Sequence, residues 1–125
     1  MQPETRFKFR PNVFMPELEM YIEQYQYQQN NRTCLQLYYF DPELKTFFPY
    51  ATLTVNIPAF KLSNPNCALL DTNNCPWSEE LLVDALSCAE PTDRYARSGF
   101  CYYPEVELIP EQLEKLIYYK RGNVK

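Results

Sequence analysis

Leu35, Leu37 and Tyr39 occupy alternate positions of NNRTCLQLYYF, the spacing that puts side chains on one face of a β-strand. The preceding LEMYIEQYQYQQ is ambiguous. Leu18, Tyr21, Ile22 and Tyr25 fit a helical face, whereas Tyr25 and Tyr27 alternate. Asn30-Asn31 between the two stretches suits the positive φ of a tight turn. The pair therefore reads as a hairpin, with strand 18–28, a turn at Asn30-Asn31 and strand 33–40; a helix over 17–27 is the competing reading. Asp41-Pro42 opens a longer connection through Lys45. YATLTVNI then places Ala51, Leu53, Val55 and Ile57 inward, with Thr52, Thr54 and Asn56 opposite, and Pro58 ends it. These strands make an antiparallel meander. Upstream, RFKFR also alternates and can pair, although Pro11 and Pro16 interrupt the region.

Residues 58–66 read as a loop, CALLD as a short strand and DTNNCP as a turn that starts a helix. That helix is predicted from Pro76 to about Cys88. Asn74 or Cys75 caps it, and Trp77, Leu81, Leu82, Ala85 and Leu86 form its apolar stripe. Ser78, Glu79, Glu80 and Asp84 then face solvent. EPTDRYARSG is polar and reads as a loop. FCYYPEVEL reads as an edge strand, broken or bulged at Pro104. A last helix starts at Pro110, uses Leu113, Leu116 and Ile117 as its face, and ends at Lys120, Arg121 and Gly122. The fold class that follows is α+β: an antiparallel sheet of about four strands, the N-terminal meander, packed against two helices. Residues 1–17 form an arm, 18–121 a single domain and 122–125 a tail.

At 125 residues the chain has room for one core. Its net charge of −4 is unevenly spread. From Asp71 to Glu114 there are ten carboxylates against two arginines, a local charge of −8. Residues 1–10 carry Arg6, Lys8 and Arg10 against Glu4, and the last eleven carry Lys115, Lys120, Arg121 and Lys125 with no acid. An acidic surface either is merely solvated or meets a basic partner. Phosphate contacts need a basic footprint, so direct nucleic-acid binding is disfavoured and rests on the two ends alone. No apolar run reaches 18 residues, and the basic N-terminus lacks the apolar stretch of a signal peptide. The expectation is a cytoplasmic protein with no membrane span, in which Cys34, Cys67, Cys75, Cys88 and Cys101 are reduced thiols.

Chemistry is bounded by what is missing. Without histidine there is no Ser-His-Asp or Cys-His arrangement, and the cysteine gaps of 33, 8, 13 and 13 do not suit zinc. Two glycines, Gly99 and Gly122, cannot build a phosphate-binding loop. No metal, cofactor or catalytic set is expected, and the chain reads as non-enzymatic. Glu79 with Asp84, and Glu105 with Glu107 on one strand face, are carboxylate pairs by proximity; a charged edge strand that resists aggregation is the ordinary explanation of the latter. Asp71, Asn73 and Asn74 read as turn chemistry, since the glycine and terminal glutamate of a calcium loop are missing. Cys75, at a helix start, could have its pKa lowered, or is simply structural. Arg94 and Arg97 flank Tyr95, an arrangement that grips a carboxylate, phosphate or ring; a salt bridge to Glu90 or Asp93 is the alternative.

PYATLTVNIP, LLDTNNCPW and EPTDRYARSGFCYYPEVEL, with NNRTCLQLYYF upstream, resemble the DUF4313 family of small uncharacterised proteins from Firmicutes and their mobile elements. The likeness spans roughly residues 18–108, and the chain departs from it at Asp93, where a small residue or glycine is expected, and in DPELKTFFP. The resemblance implies a cytosolic accessory protein of a mobile element and supplies no catalytic residues. Together with the acidic segment it suggests a protein-binding module, in one form an inhibitor of a bacterial defence system, that meets a basic host protein. The partner-binding candidates are Glu79, Glu80, Asp84, Arg94, Tyr95, Arg97, Glu105, Glu107, Glu111 and Glu114. The alternative is a nucleic-acid-associated accessory factor using its basic termini.

Overall fold

The computed structural model describes residues 6–123, with side chains from 6 to 116. Two sheets share one core. The first is built on β2 (Leu18–Gln26), which pairs antiparallel with β3 (Thr33–Asp41) from Met20↔Tyr39 to Gln26↔Thr33. Asn31, at φ 59, turns the hairpin between them, and the helical alternative for 17–27 is rejected. β4 (Thr46–Thr52) continues the meander on β3, and β1 (Phe7–Phe9) pairs antiparallel with the start of β2. These four N-terminal strands pair antiparallel, as expected of the meander, within a sheet of five in which β1 comes from the expected arm.

The third strand begins earlier than its alternation suggested. Asp41 Oδ1 accepts from the N–H groups of Glu43 and Leu44, and Lys45 turns at φ 54, so the connection is short. Phe47 and Phe48 therefore belong to β4, and Pro49 lies on its outer edge, where the lost N–H costs least. YATLTVNI is not one strand. At Leu53 the chain leaves the first sheet: its N–H donates to Leu35 O, and its own C=O accepts from Asp71 N–H. β5 (Thr54–Val55) lies in the second sheet, so Thr54 is buried and Val55 only half-buried, against the expected alternation.

The second sheet has the order β5, β6 (Cys67–Leu70), β8 (Cys101–Leu108) and β7 (Ala89–Ser98), all antiparallel. Two expectations fail here. EPTDRYARSG is a strand, and FCYYPEVEL is interior, flanked by β6 and β7. β6 pairs with β8 only from Glu105 to Glu107, so Pro104 stands just beyond the stretch that needs its N–H. β7 looked like a loop because an edge strand with exposed side chains carries no apolar period; Ala89 and Ala96 are its buried positions. A register shift between Pro91 and Tyr95 contains Asp93 at φ 66, a left-handed backbone that glycine adopts freely and Asp tolerates.

The two helices are shorter than expected, so α+β holds only coarsely for a largely β fold. The segment Glu80–Ala85 winds as a π-helix, with Leu86 N–H bonded to Leu81 O. The wider turn shifts the stripe: Leu81 and Leu82 are buried, Ala85 is exposed and Ser78 is fully buried, contrary to expectation. Trp77 lies 5.9 Å from the rings of both Phe9 and Tyr50. α1 (Pro110–Leu116) buries Leu113 and stops there. The residues expected to continue it form β9 (Ile117–Asn123), parallel to β2 from Ile22 to Gln26. β1 and β9 thus share one edge of β2, end to end.

The core gathers Met20, Ile22, Leu35, Leu37, Leu53, Leu70, Leu81, Leu82, Val106, Leu108 and Leu113 between the sheets. Val55, expected there, is outside this cluster. Phe9, from the expected arm, lies inside it. Among the described residues no helix is long and apolar enough to cross a membrane.

Candidate functional site

The second sheet carries the chemistry singled out in the sequence, and its strands separate that chemistry into two ends. β7 and β8 join through Gly99-Phe100. Gly99 has φ 61 while Phe100 has no positive φ, the pattern of a turn with glycine at its first central position. Arg97 stands opposite Tyr102 and Tyr95 opposite Pro104, so Tyr95, Arg97 and Tyr102 share one face of this hairpin. Phe100 is 98% exposed, Tyr95 61% and Tyr102 57%. The Arg97 guanidinium lies over the Tyr102 ring at 5.6 Å, and its Nε donates to Gly99 O. Large aromatics left in water on a rigid hairpin are costly to leave bare and suit a contact surface.

Arg94 is not part of that surface. Its Nη1 lies 3.4 Å from both carboxylate oxygens of Glu105 and 2.7 Å from Ser63 Oγ, and its Nη2 donates to Lys61 O. Its guanidinium also covers the Phe60 ring at 4.6 Å. Glu105 itself is 1% exposed. It accepts hydrogen bonds from Ser63 N–H, Ser63 Oγ and Thr92 Oγ1, each at 2.7 Å. Burial alone would push the Glu105 carboxyl up. The hydrogen bonds from Thr92 and Ser63, with the Arg94 charge, outweigh burial and hold it below the usual carboxylate range. Glu105 and Glu107 do alternate onto one face, but only Glu107 meets solvent. Glu105 therefore leaves the set of partner-binding candidates, and Arg94 pairs with it rather than with Glu90 or Asp93. The cluster is a clasp that holds the loop after β5 against the sheet. Arg32 holds the same loop from the other side, donating to Ile57 O and Phe60 O.

At the opposite end of the sheet lie the acids. Glu90 on β7 stands directly opposite Glu107 on β8, both exposed. Glu111 and Glu114 follow on α1, whose start is tied to this end by the Ile109 N–H bond to Cys88 O. Glu80 and Asp84 are exposed on the π-helical segment, and Glu79 is half-buried beside them. Like charges facing each other across strands disfavour the fold unless water or a cation screens them, so the pair is a cost that a basic contact would relieve. Among the described residues no cluster of three or more acids, cysteines or histidines is arranged to hold a metal.

The remaining candidates have structural roles. Asp71 binds Asn74 through its N–H and Nδ2, as turn chemistry. Cys75 lies outside the helical segment, and burial, with a smaller contribution from Asp71, raises its thiol pKa instead of lowering it. All five cysteines are free, four of them buried. Burial pushes the Cys88 thiol up to about 11.

The sequence reading missed the aromatic layer on the outer face of the first sheet. Tyr21 stacks on Tyr38 at 5.0 Å and meets the edge of Phe47 at 4.8 Å, with Arg6 over Phe47. Beside it the Tyr25 hydroxyl donates to the buried Glu23 carboxylate, and burial, then that hydrogen bond, raises the Tyr25 pKa. The signal was present: Tyr21, Glu23 and Tyr25 alternate with Met20, Ile22 and Gln24, so both faces of β2 are lined.

No curated protein and no solved structure matches this chain. Residues 20–123 match the model of DUF4313, a domain of unknown function, and the chain belongs to that family.

Proposed function

We propose that the chain is a non-enzymatic protein-binding module whose contact surface is the tip of the β7–β8 hairpin, with the acidic end steering approach. The observation that carries this reading is the exposure of Phe100, Tyr95 and Tyr102 around Arg97 on a two-stranded element. Aromatic side chains and arginine dominate binding energy at protein interfaces, while exposed carboxylates chiefly raise the rate of encounter. The acids left for that role are Glu79, Glu80, Asp84, Glu107, Glu111 and Glu114. The accessory role in a mobile element, including inhibition of a host defence protein, belongs to this proposal. Affinity capture from a bacterial lysate, followed by mass spectrometry, tests it. The native chain should retain a defined protein that Phe100→Ser/Tyr102→Ser loses. Retention of the same protein by that variant would move the interface elsewhere.

A second reading has its own support. Because β1 and β9 share one edge of β2, the two basic ends are placed in line. Lys8 is opposite Glu19, and Lys120 is opposite Gln24. Arg6 bonds to Glu19 at 3.3 Å and lies over Phe47, which reduces what it can offer a phosphate. Fluorescence anisotropy with labelled duplex DNA and single-stranded RNA decides: this reading requires binding that falls with salt and with Lys8→Glu/Arg10→Glu.

A further inference from the structure

β7 is the outermost strand of the second sheet and, among the described residues, pairs only with β8. Its register shows which backbone groups face outward. Ser98 and Cys101 flank a two-residue turn and so form a hydrogen-bonded pair. Alternation then makes Arg97↔Tyr102 a non-bonded pair, Ala96↔Tyr103 a bonded pair and Tyr95↔Pro104 a non-bonded pair. The last agrees with Pro104, which has no N–H to give. Tyr95 and Arg97 therefore direct their N–H and C=O groups away from the sheet. Pro91 and the left-handed Asp93 keep the earlier part of β7 from presenting a regular ladder, so this open edge is short.

We infer that this edge pairs with a second copy of the chain: Arg94–Ser98 of two copies lie antiparallel about a two-fold axis at Ala96. The argument is self-complementarity. In that register Tyr95 of each copy is a hydrogen-bonded partner of the other copy's Arg97, using every outward group named above. Each Arg97, already over its own Tyr102, gains a second ring beside it. Arg94 falls opposite Ser98, so no like charges face each other. Centring the axis on Tyr95 instead would bring the Asp93 irregularity into the ladder. Pairing about a two-fold axis consumes this edge in both copies, so association through it closes at two. The second sheets join into one eight-stranded sheet. This inference does not depend on the protein-binding reading, since it rests on the backbone edge of β7; the two share Tyr95 and Arg97, and Phe100 stays free in both.

Sedimentation equilibrium over about 1–500 μM tests it, a range suited to a small interface. The expected result is a reversible transition from 14.9 kDa to twice that mass. Hydrogen exchange locates the contact: the Tyr95 and Arg97 amides should exchange fast when dilute and at least tenfold slower when concentrated, with Ala96 and Ser98 slow throughout. Tyr95→Lys should weaken association at least tenfold by facing Arg97, and Tyr95→Lys/Arg97→Glu should restore it. Both positions are exposed, and circular dichroism checks that the variants fold. A monomer throughout, a dimer whose Tyr95 and Arg97 amides stay unprotected, or a double variant that fails to recover would each overturn the proposal.

Discussion

Leu53 has a large buried side chain and two structural duties. It is fully buried in the core, and its backbone joins Leu35 in one sheet to Asp71 beside the other. Leu53→Ala keeps the backbone bonds and opens a cavity, so urea denaturation should show a loss of about 2–5 kcal/mol. Glu105 makes a different prediction. Its folded pKa is lowered, so its contribution is complete above the unfolded value near 4.3 and disappears as pH falls through the folded value. Stability measured by urea at pH 7 and at pH 3 should therefore decline on acidification, and Glu105→Gln should decline less steeply. An unchanged acid limb in Glu105→Gln would mean that other carboxylates dominate. Thiol access separates the cysteines: iodoacetamide under native conditions at pH 8 should label half-exposed Cys101 first, with Cys34, Cys67, Cys75 and Cys88 protected until unfolding.

Among the elements, the β7–β8 hairpin depends on one backbone angle. Gly99 has φ 61 with nothing within 4 Å of an added Cβ, so Gly99→Ala tests backbone strain alone and should cost about 1–2 kcal/mol. Elements whose patterns matched a single environment were readable in advance. The β2–β3 hairpin is an example, because Leu35 and Leu37 keep their alternation and Asn31 supplies its turn. Elements that change environment were not. TLTV alternates smoothly, yet the sheet changes at Leu53, and no residue type announces a strand's change of partner. β7 was hidden because an edge strand is polar, and its irregularity at Asp93 removes what period remained. The helix after Cys75 was overextended because a 3.6-residue stripe was assumed where the backbone winds wider. Of the candidate site, Tyr95 and Arg97 were singled out in a segment read as a loop, whereas Phe100 and Tyr102 were read only as part of the edge strand FCYYPEVEL. Glu105 was counted as surface because only the fold brings Ser63, Thr92 and Arg94 around it.

Across the molecule, β9 lies against Ile22–Gln26, far from its own neighbours in sequence. A chain that stops after Leu116 leaves that edge of β2 without a strand, with backbone donors and acceptors beside buried Ile22. Such a truncation should aggregate at concentrations where the native chain does not, and static light scattering checks it by the average mass. The same pairing orders events during synthesis. A ribosome releases β1 to β4 early, but the strand that completes their sheet follows only after β5 to β8 and α1. Until then the nascent first sheet carries a bare edge. The first sheet should therefore close only once β9 has emerged, and the yield should respond to chaperones that shield open strands more than to the speed of translation.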